Sequence, residues 1–160
     1  MITAVIRAHS SVETLAATLT VLIPAVAQGV VGHAVIIDEI GDPALARLAD
    51  ETGAAHVAAG PGEIWEQGVS QARGEWVILL EAGDLPEAQW LASLERHLLT
   101  QASRPALMPL RGLAGALREG GSLLLRGRGL RAGLLAPKAE LLAGRLSQRP
   151  RRLPVGRRRV

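Results

Sequence analysis

Ala72-Arg73-Gly74-Glu75-Trp76-Val77-Ile78-Leu79-Leu80-Glu81-Ala82-Gly83-Asp84 is the stretch on which the fold turns. Trp76 to Leu80 is an unbroken apolar run, as a strand covered on both faces reads. Gly74 before it stops a helix that begins at about Glu63 and runs to Arg73. A helix feeding a buried strand is the building unit of a parallel, helix-covered sheet, and in such sheets ligands sit beyond the carboxyl ends of the strands. Glu81 and Asp84 follow such an end.

Working outward, the same unit repeats. Ile2 to Arg7 reads as a first strand ending at Ala8 and His9, and Ser10 with Glu13 forms a capping-box pattern. Val12, Leu15, Ala16, Leu19, Leu22, Ile23 and Val26 then recur at helical steps, with Pro24 expected to end or kink the helix. His33 to Ile37 is a second apolar strand, closed by Asp38-Glu39. Asp42-Pro43 opens a helix through about Thr52, Gly53 stops it, and Ala55 to Ala58 is a short third strand. Beyond Asp84, Pro86 is expected to start a helix to about Leu99. After Gln101 the expected elements are a strand over Ala106–Leu110, a helical turn over Gly112–Arg118, a strand over Ser122–Arg126 and a short helix over Pro137–Ala143. The Arg-rich segment 148–160 is expected to be irregular, which divides the chain into a domain of residues 1–147 and a tail of residues 148–160.

With 160 residues, 48% of them apolar and 21% charged, the chain is one globular domain with a real core. The absence of cysteine excludes thiolate catalysis, disulfides and thiolate metal sites. The four histidines, His9, His33, His56 and His97, never fall at the spacing of a helical zinc site. The net charge of +3 hides a division: residues 1–100 hold 4 Arg against 13 Asp and Glu, whereas residues 101–160 hold 13 Arg and 1 Lys against Glu119 and Glu140. An acidic part can hold a cation, and a basic part can meet phosphate, anionic lipid or RNA. RNA is the weakest of the three, because the chain has no Tyr or Phe and its Trp65, Trp76 and Trp90 read as core rather than as a stacking platform. Thr14 to Ile37 lacks charge, yet its Thr, Pro, Gln, Gly and His content argues against a membrane span, and the start lacks the basic cluster of a signal peptide. The expected location is the cytoplasm, with the basic end able to lie peripherally at the inner face of the membrane.

If the strands ending in Asp38-Glu39 and in Glu81 are neighbours, their carboxylates converge on one hard cation, Mg²⁺ or Mn²⁺. The plainer alternative is that such acids cap helices, as Asp42 before Pro43 and Asp84 before Pro86 would.

The segment order resembles the family 2 glycosyltransferases of GT-A fold. The matching stretches are Ile6-Arg7-Ala8-His9-Ser10, Ile23-Pro24-Ala25, Ile36-Ile37-Asp38-Glu39-Ile40-Gly41-Asp42 and Ala72 to Asp84, with a weaker match over Gly133-Leu134-Leu135-Ala136-Pro137-Lys138. The resemblance implies an α/β, Rossmann-type, mostly parallel sheet with helices on both faces. It also implies transfer of a sugar from a nucleotide-diphosphate sugar to an acceptor hydroxyl. Ala8, His9, Asp38, Glu39, Glu81 and Ala82 would then bind the nucleotide sugar, and Glu81 with Asp84 would weakly hold Mg²⁺ or Mn²⁺, since Glu81 begins the family's D-x-D motif and Gly83 stands where its second acid belongs. Pro-Thr of the family's first loop has become Arg7-Ala8, Gly-Ser has become Ile40-Gly41, and Glu66 stands where the third helix carries Arg or Asn. No acid follows Gly144, where the family places its general base, so no catalytic residue is assigned; Glu119 and Glu140 read as solvent-facing. Two functions stay open: a degenerate transferase, with a lipid-linked acceptor or anionic membrane met through the Arg-rich end, or an inactive relative that binds a nucleotide or a partner.

Overall fold

The structure is a computed structural model that describes residues 1–101, 103–112 and 129–160. The turn expected over Gly112–Arg118 lies, after its first residue, outside the described residues, as do the strand expected over Ser122–Arg126 and Glu119.

Three apolar strands carry the domain: β1 (Ile2–Ala8), β2 (Val31–Asp38) and β4 (Trp76–Glu81), with the short β3 (Ala55–Ala58) outside β2. All four run parallel in the order β3-β2-β1-β4. Successive side chains of a strand point to opposite faces, and here both faces are buried. Ile6, Ile36, Ile78 and Leu80 enter a core beneath α1 (Val12–Ala27), α2 (Pro43–Thr52) and α4 (Trp90–Thr100). Val5, Ile37, Val77 and Leu79 enter a second core beneath α3 (Ile64–Ser70) and α5 (Lys138–Leu142). Each such fully buried side chain contributes roughly 1.5–3 kcal/mol, which is why an uninterrupted apolar run is tolerated in these strands. Past β4 the sheet continues through β7 (Leu134–Pro137), β6 (Ala106–Leu107) and β8 (Arg151–Arg152); β7 is antiparallel to both neighbours. The sheet is therefore mostly parallel and helix-covered on both faces, as expected.

Local chemistry explains the helices. Asp42 accepts the Ala44 N–H at 2.9 Å and Pro43 sits at the first turn, so α2 starts where the sequence places it. The cap of α1 is Ser11, one residue later than expected. Pro24 neither ends nor breaks α1: it lies on the exposed side of the helix, which runs on to Ala27. Ile23 and Val26, expected on the buried face, are exposed, while Leu15, Thr18, Leu22 and Ala25 face the sheet. Trp65 and Trp90 are buried and Trp76 is half-buried against the core.

Two expectations fail together. Pro86 does not start a helix; it closes β5 (Asp84–Pro86), and α4 begins only at Trp90. The segment 148–160 is not irregular either: it contributes β8 to the sheet edge and β9 (Arg157–Arg159), which pairs antiparallel with β5. The cause is charge, as that register sets both Arg157 and Arg159 against Asp84, at 3.0 and 2.9 Å. No helix among the described residues is long and apolar enough to cross a membrane.

Candidate functional site

The carboxyl ends of β1, β2 and β4 are held level by the backbone. Ala8 pairs with Asp38 across one ladder and Arg7 with Glu81 across the other. The Glu39 N–H then donates to the Ala8 carbonyl at 3.0 Å, and the Ala82 N–H to the Arg7 carbonyl at 2.8 Å. Ala8, His9, Asp38, Glu39, Glu81 and Ala82 thus sit at one edge of three adjacent strands.

Arg7 organises this edge. Its guanidinium donates to both Glu39 oxygens, at 2.6 and 3.0 Å, lies 4.0 Å from Glu81 and stacks 5.3 Å from the centre of the Trp65 ring. The Arg7 hydrogen bond holds the Glu39 carboxyl below its ordinary range, against the opposing effect of partial burial. His9 stands at the rim, 3.9 Å from Glu81. Beside Arg7 and Trp65 opens a cleft of about 480 Å³, lined also by Glu63, Leu130, Leu141 and Gly144.

Asp38 is buried, and its surroundings explain why it remains a carboxylate. Burial pushes its pKa up, but the Gly41 and Ile40 N–H groups, at 2.8 and 2.9 Å, and His56 Nε2, at 3.1 Å, outweigh it, and the net shift is downward. Both oxygens are engaged, so Asp38 fixes the loop over Glu39–Gly41 as well as lining the edge. His56 escaped the sequence reading because nothing in a four-residue strand marks it; its place follows from β3 lying beside β2, where Ala58 pairs with Asp38.

The expected cation ligands have a different environment. Asp84 is fully buried and accepts four hydrogen bonds: from the Glu81 N–H at 2.9 Å, Arg157 Nε at 3.0 Å, and Arg159 Nε and Nη2 at 3.1 and 2.9 Å. It caps no helix. Arg159 also lies 2.6 Å from Glu81. Gly83, where the resemblance expects an acid, has φ +94, and a Cβ there would stand 3.1 Å from the Val160 carbonyl oxygen. The seat between Glu81 and Asp84 is thus filled by guanidinium, the side-chain oxygens of Asp84 are all in use, and these residues as placed do not fit a divalent ion. No group of three or more potential metal-binding side chains occurs among the described residues. Arg157 and Arg159 are the site residues that sequence reasoning missed; the acidic and basic halves of the chain were visible, but not which charges meet.

Glu140 accepts the Ser147 N–H at 2.9 Å and its hydroxyl at 2.7 Å, so this acid is engaged in closing the turn after α5.

No family model matches the chain, and no curated protein matches it in sequence. Solved structures do match in shape. Glucosyl-3-phosphoglycerate synthase from Mycobacterium tuberculosis, in complex with Mn²⁺, UDP and phosphoglyceric acid, superposes with a TM-score of 0.64 at 18% identity, over 88% of this chain and 57% of that one. S. aureus TarS in complex with UDP-GlcNAc superposes with a TM-score of 0.60 at 14% identity, over 88% of this chain and 46% of that one. The chain spans about half the length of the structures it matches. In fold, this chain is a GT-A domain of the kind found in nucleotide-sugar glycosyltransferases.

Proposed function

We propose that the edge formed by Ala8, His9, Asp38, Glu39, Glu81 and Ala82, with the cleft beside Arg7, binds a nucleotide-diphosphate sugar, and that the chain is a family 2-like glycosyltransferase acting on an acceptor hydroxyl. The observation that carries this reading is the β3-β2-β1-β4 order, which brings the ends of β1, β2 and β4 to one edge, the place where open parallel sheets take ligands. The shape match to structures solved with UDP and UDP-GlcNAc supports it.

In such a transfer the bond between the sugar's anomeric carbon and the diphosphate breaks, and negative charge grows on the departing diphosphate. Cationic N–H groups fixed in a partly dry site stabilise that charge more than water does. Arg7, held by Glu39 and by Trp65, is one such group. The acceptor proton needs a base, and Arg145-Leu146-Ser147-Gln148 supply no acid at the place after Gly144 where the resemblance puts it.

That last point, with Glu140 bound to Ser147, favours a second reading: a relative that binds the nucleotide or a partner without turnover. In either reading, the exposed Arg149, Arg151, Arg152 and Arg158 make residues 148–160 the basic segment that would meet an anionic surface or a lipid-linked acceptor. Calorimetry with a panel of nucleotide sugars, followed by release of nucleoside diphosphate with sugar and lipid acceptors present, tests the proposal. Acceptor-dependent release supports the transferase; binding without release supports the second reading as a nucleotide binder; no binding by any donor sinks the transferase and the nucleotide binder and leaves only the partner-binding form of the second reading.

A further inference from the structure

The filled seat between Glu81 and Asp84 has a function of its own if the edge binds a diphosphate, and the inference that follows rests on that reading. We infer that Arg157 and Arg159 replace a divalent cation between the two carboxylates and the ligand, so that this chain binds nucleoside diphosphates through guanidinium groups and without a metal ion.

Charge is the first argument. Two carboxylates and two guanidinium groups sum to zero, the same balance that one divalent ion would give the pair. Arginine stays charged at any working pH and its planar fork suits phosphate oxygens. The seat therefore carries a permanent cation that no chelator removes.

Construction is the second. Alternate residues of a strand point to the same face, so Arg157 and Arg159 both turn toward Asp84 while Arg158 is exposed. Arg157 is buried, with its Nη1 bonded to the Met108 carbonyl at 2.6 Å, and Gly133 leaves the room: a Cβ there would stand 2.6 Å from Arg157 Nη1. Arg159 is the outer member, its side chain 24% exposed. Its Nε and Nη2 are used on the acids, and no described residue bonds its Nη1. Arg7 lies 4.0 Å from the other oxygen of Glu81, and His9 3.9 Å from the oxygen that Arg159 meets. A diphosphate at this edge would meet Arg159, Arg7 and His9 together.

The third argument is the coincidence at Gly83. The β5–β9 ladder that delivers Arg159 also brings Val160 over Gly83, with the Val160 N–H donating to the Gly83 carbonyl at 3.1 Å. The arginine strand thus occupies the space that a side chain at position 83 would need, and the two changes accompany one another.

The test is calorimetric titration of the full chain with UDP, GDP, ADP and dTDP, each in EDTA and in Mn²⁺, together with Mn²⁺ alone. At least one diphosphate should bind equally in EDTA and in Mn²⁺, and Mn²⁺ alone should not bind. Arg159→Ala should weaken that diphosphate about tenfold in EDTA, and Mn²⁺ should restore part of the loss by entering the emptied seat. Glu81→Gln is the second variant, and its sign separates the two schemes: it tightens the diphosphate if Glu81 only neutralises arginine, and abolishes binding if Glu81 holds a metal. Binding that requires Mn²⁺, or weakens in Glu81→Gln, overturns the inference and leaves the proposed function standing. Failure of every diphosphate in both buffers overturns the two together.

Discussion

Asp84→Asn isolates the charge of the buried carboxylate, because asparagine matches aspartate in size and leaves no cavity. Each Asp84 oxygen accepts two hydrogen bonds: Oδ2 from the Glu81 N–H and Arg157 Nε, Oδ1 from the two Arg159 nitrogens. Whichever way the amide is turned, its NH₂ faces two donors, and the Arg157 guanidinium, whose side chain is 4% exposed, loses its anion. A buried donor left unsatisfied costs about 1–3 kcal/mol, and breaking a buried ion pair from one side costs about 3–5 kcal/mol. The variant should therefore lose about 3–5 kcal/mol, a large part of the roughly 5–15 kcal/mol by which domains are stable. Urea unfolding followed by the fluorescence of buried Trp65 and Trp90 reads this as a lower midpoint at unchanged slope. Adding Arg157→Met should recover part of the loss, since the unpaired guanidinium is then gone. A loss under about 1 kcal/mol, the scale of an exposed pair, would refute the reasoning by showing that water reaches Asp84.

Glu39 and Asp38 are held below their ordinary values of 4.5 and 3.8, so the stability they contribute is complete above those values and is lost as pH falls through the lower folded ones; Glu39→Gln should flatten that acid-side loss in urea midpoints taken stepwise below neutral pH. Gly133→Ala should destabilise by more than about 2 kcal/mol, because φ is +84 and the new Cβ would meet the Met108 carbonyl oxygen at 2.3 Å, whereas Gly41→Ala, with φ +75 and open space, should cost about 1 kcal/mol by the same unfolding assay. Gly83→Asp should not create a Mn²⁺ site, because its backbone is strained for a side chain and Val160 covers it; a Mn²⁺ titration showing a new stoichiometric site would contradict this.

The inner strands were readable because burial on both faces demands unbroken apolar runs, and α2 because Asp42, Pro43 and Gly53 each act within a turn of their own position. The convergence of β1, β2 and β4 followed from that alternation. What could not be read is the pairing of distant charges. Arg157 to Arg159 have no apolar period to announce a strand, and their partner, Asp84, looks like a helix cap when only its neighbours are considered. Pro86 misled for the same reason, since a proline one or two residues past an acid suits both a helix start and a short edge strand whose partner lies far along the chain.

The β5–β9 pairing also sets an order of events during synthesis. Asp84 is made 75 residues before Arg159, and at about 5–20 residues per second a ribosome needs roughly 4–15 s to cover that distance. Throughout that interval the emerging chain holds the strands of the parallel sheet but a carboxylate with no guanidinium to meet it. The Asp84 turn must therefore stay hydrated until β9 arrives, and the β5–β9 pairing closes it only after the four parallel strands have been made. Protease digestion of chains stalled before and after Arg157 would show the turn cut in the first and protected in the second.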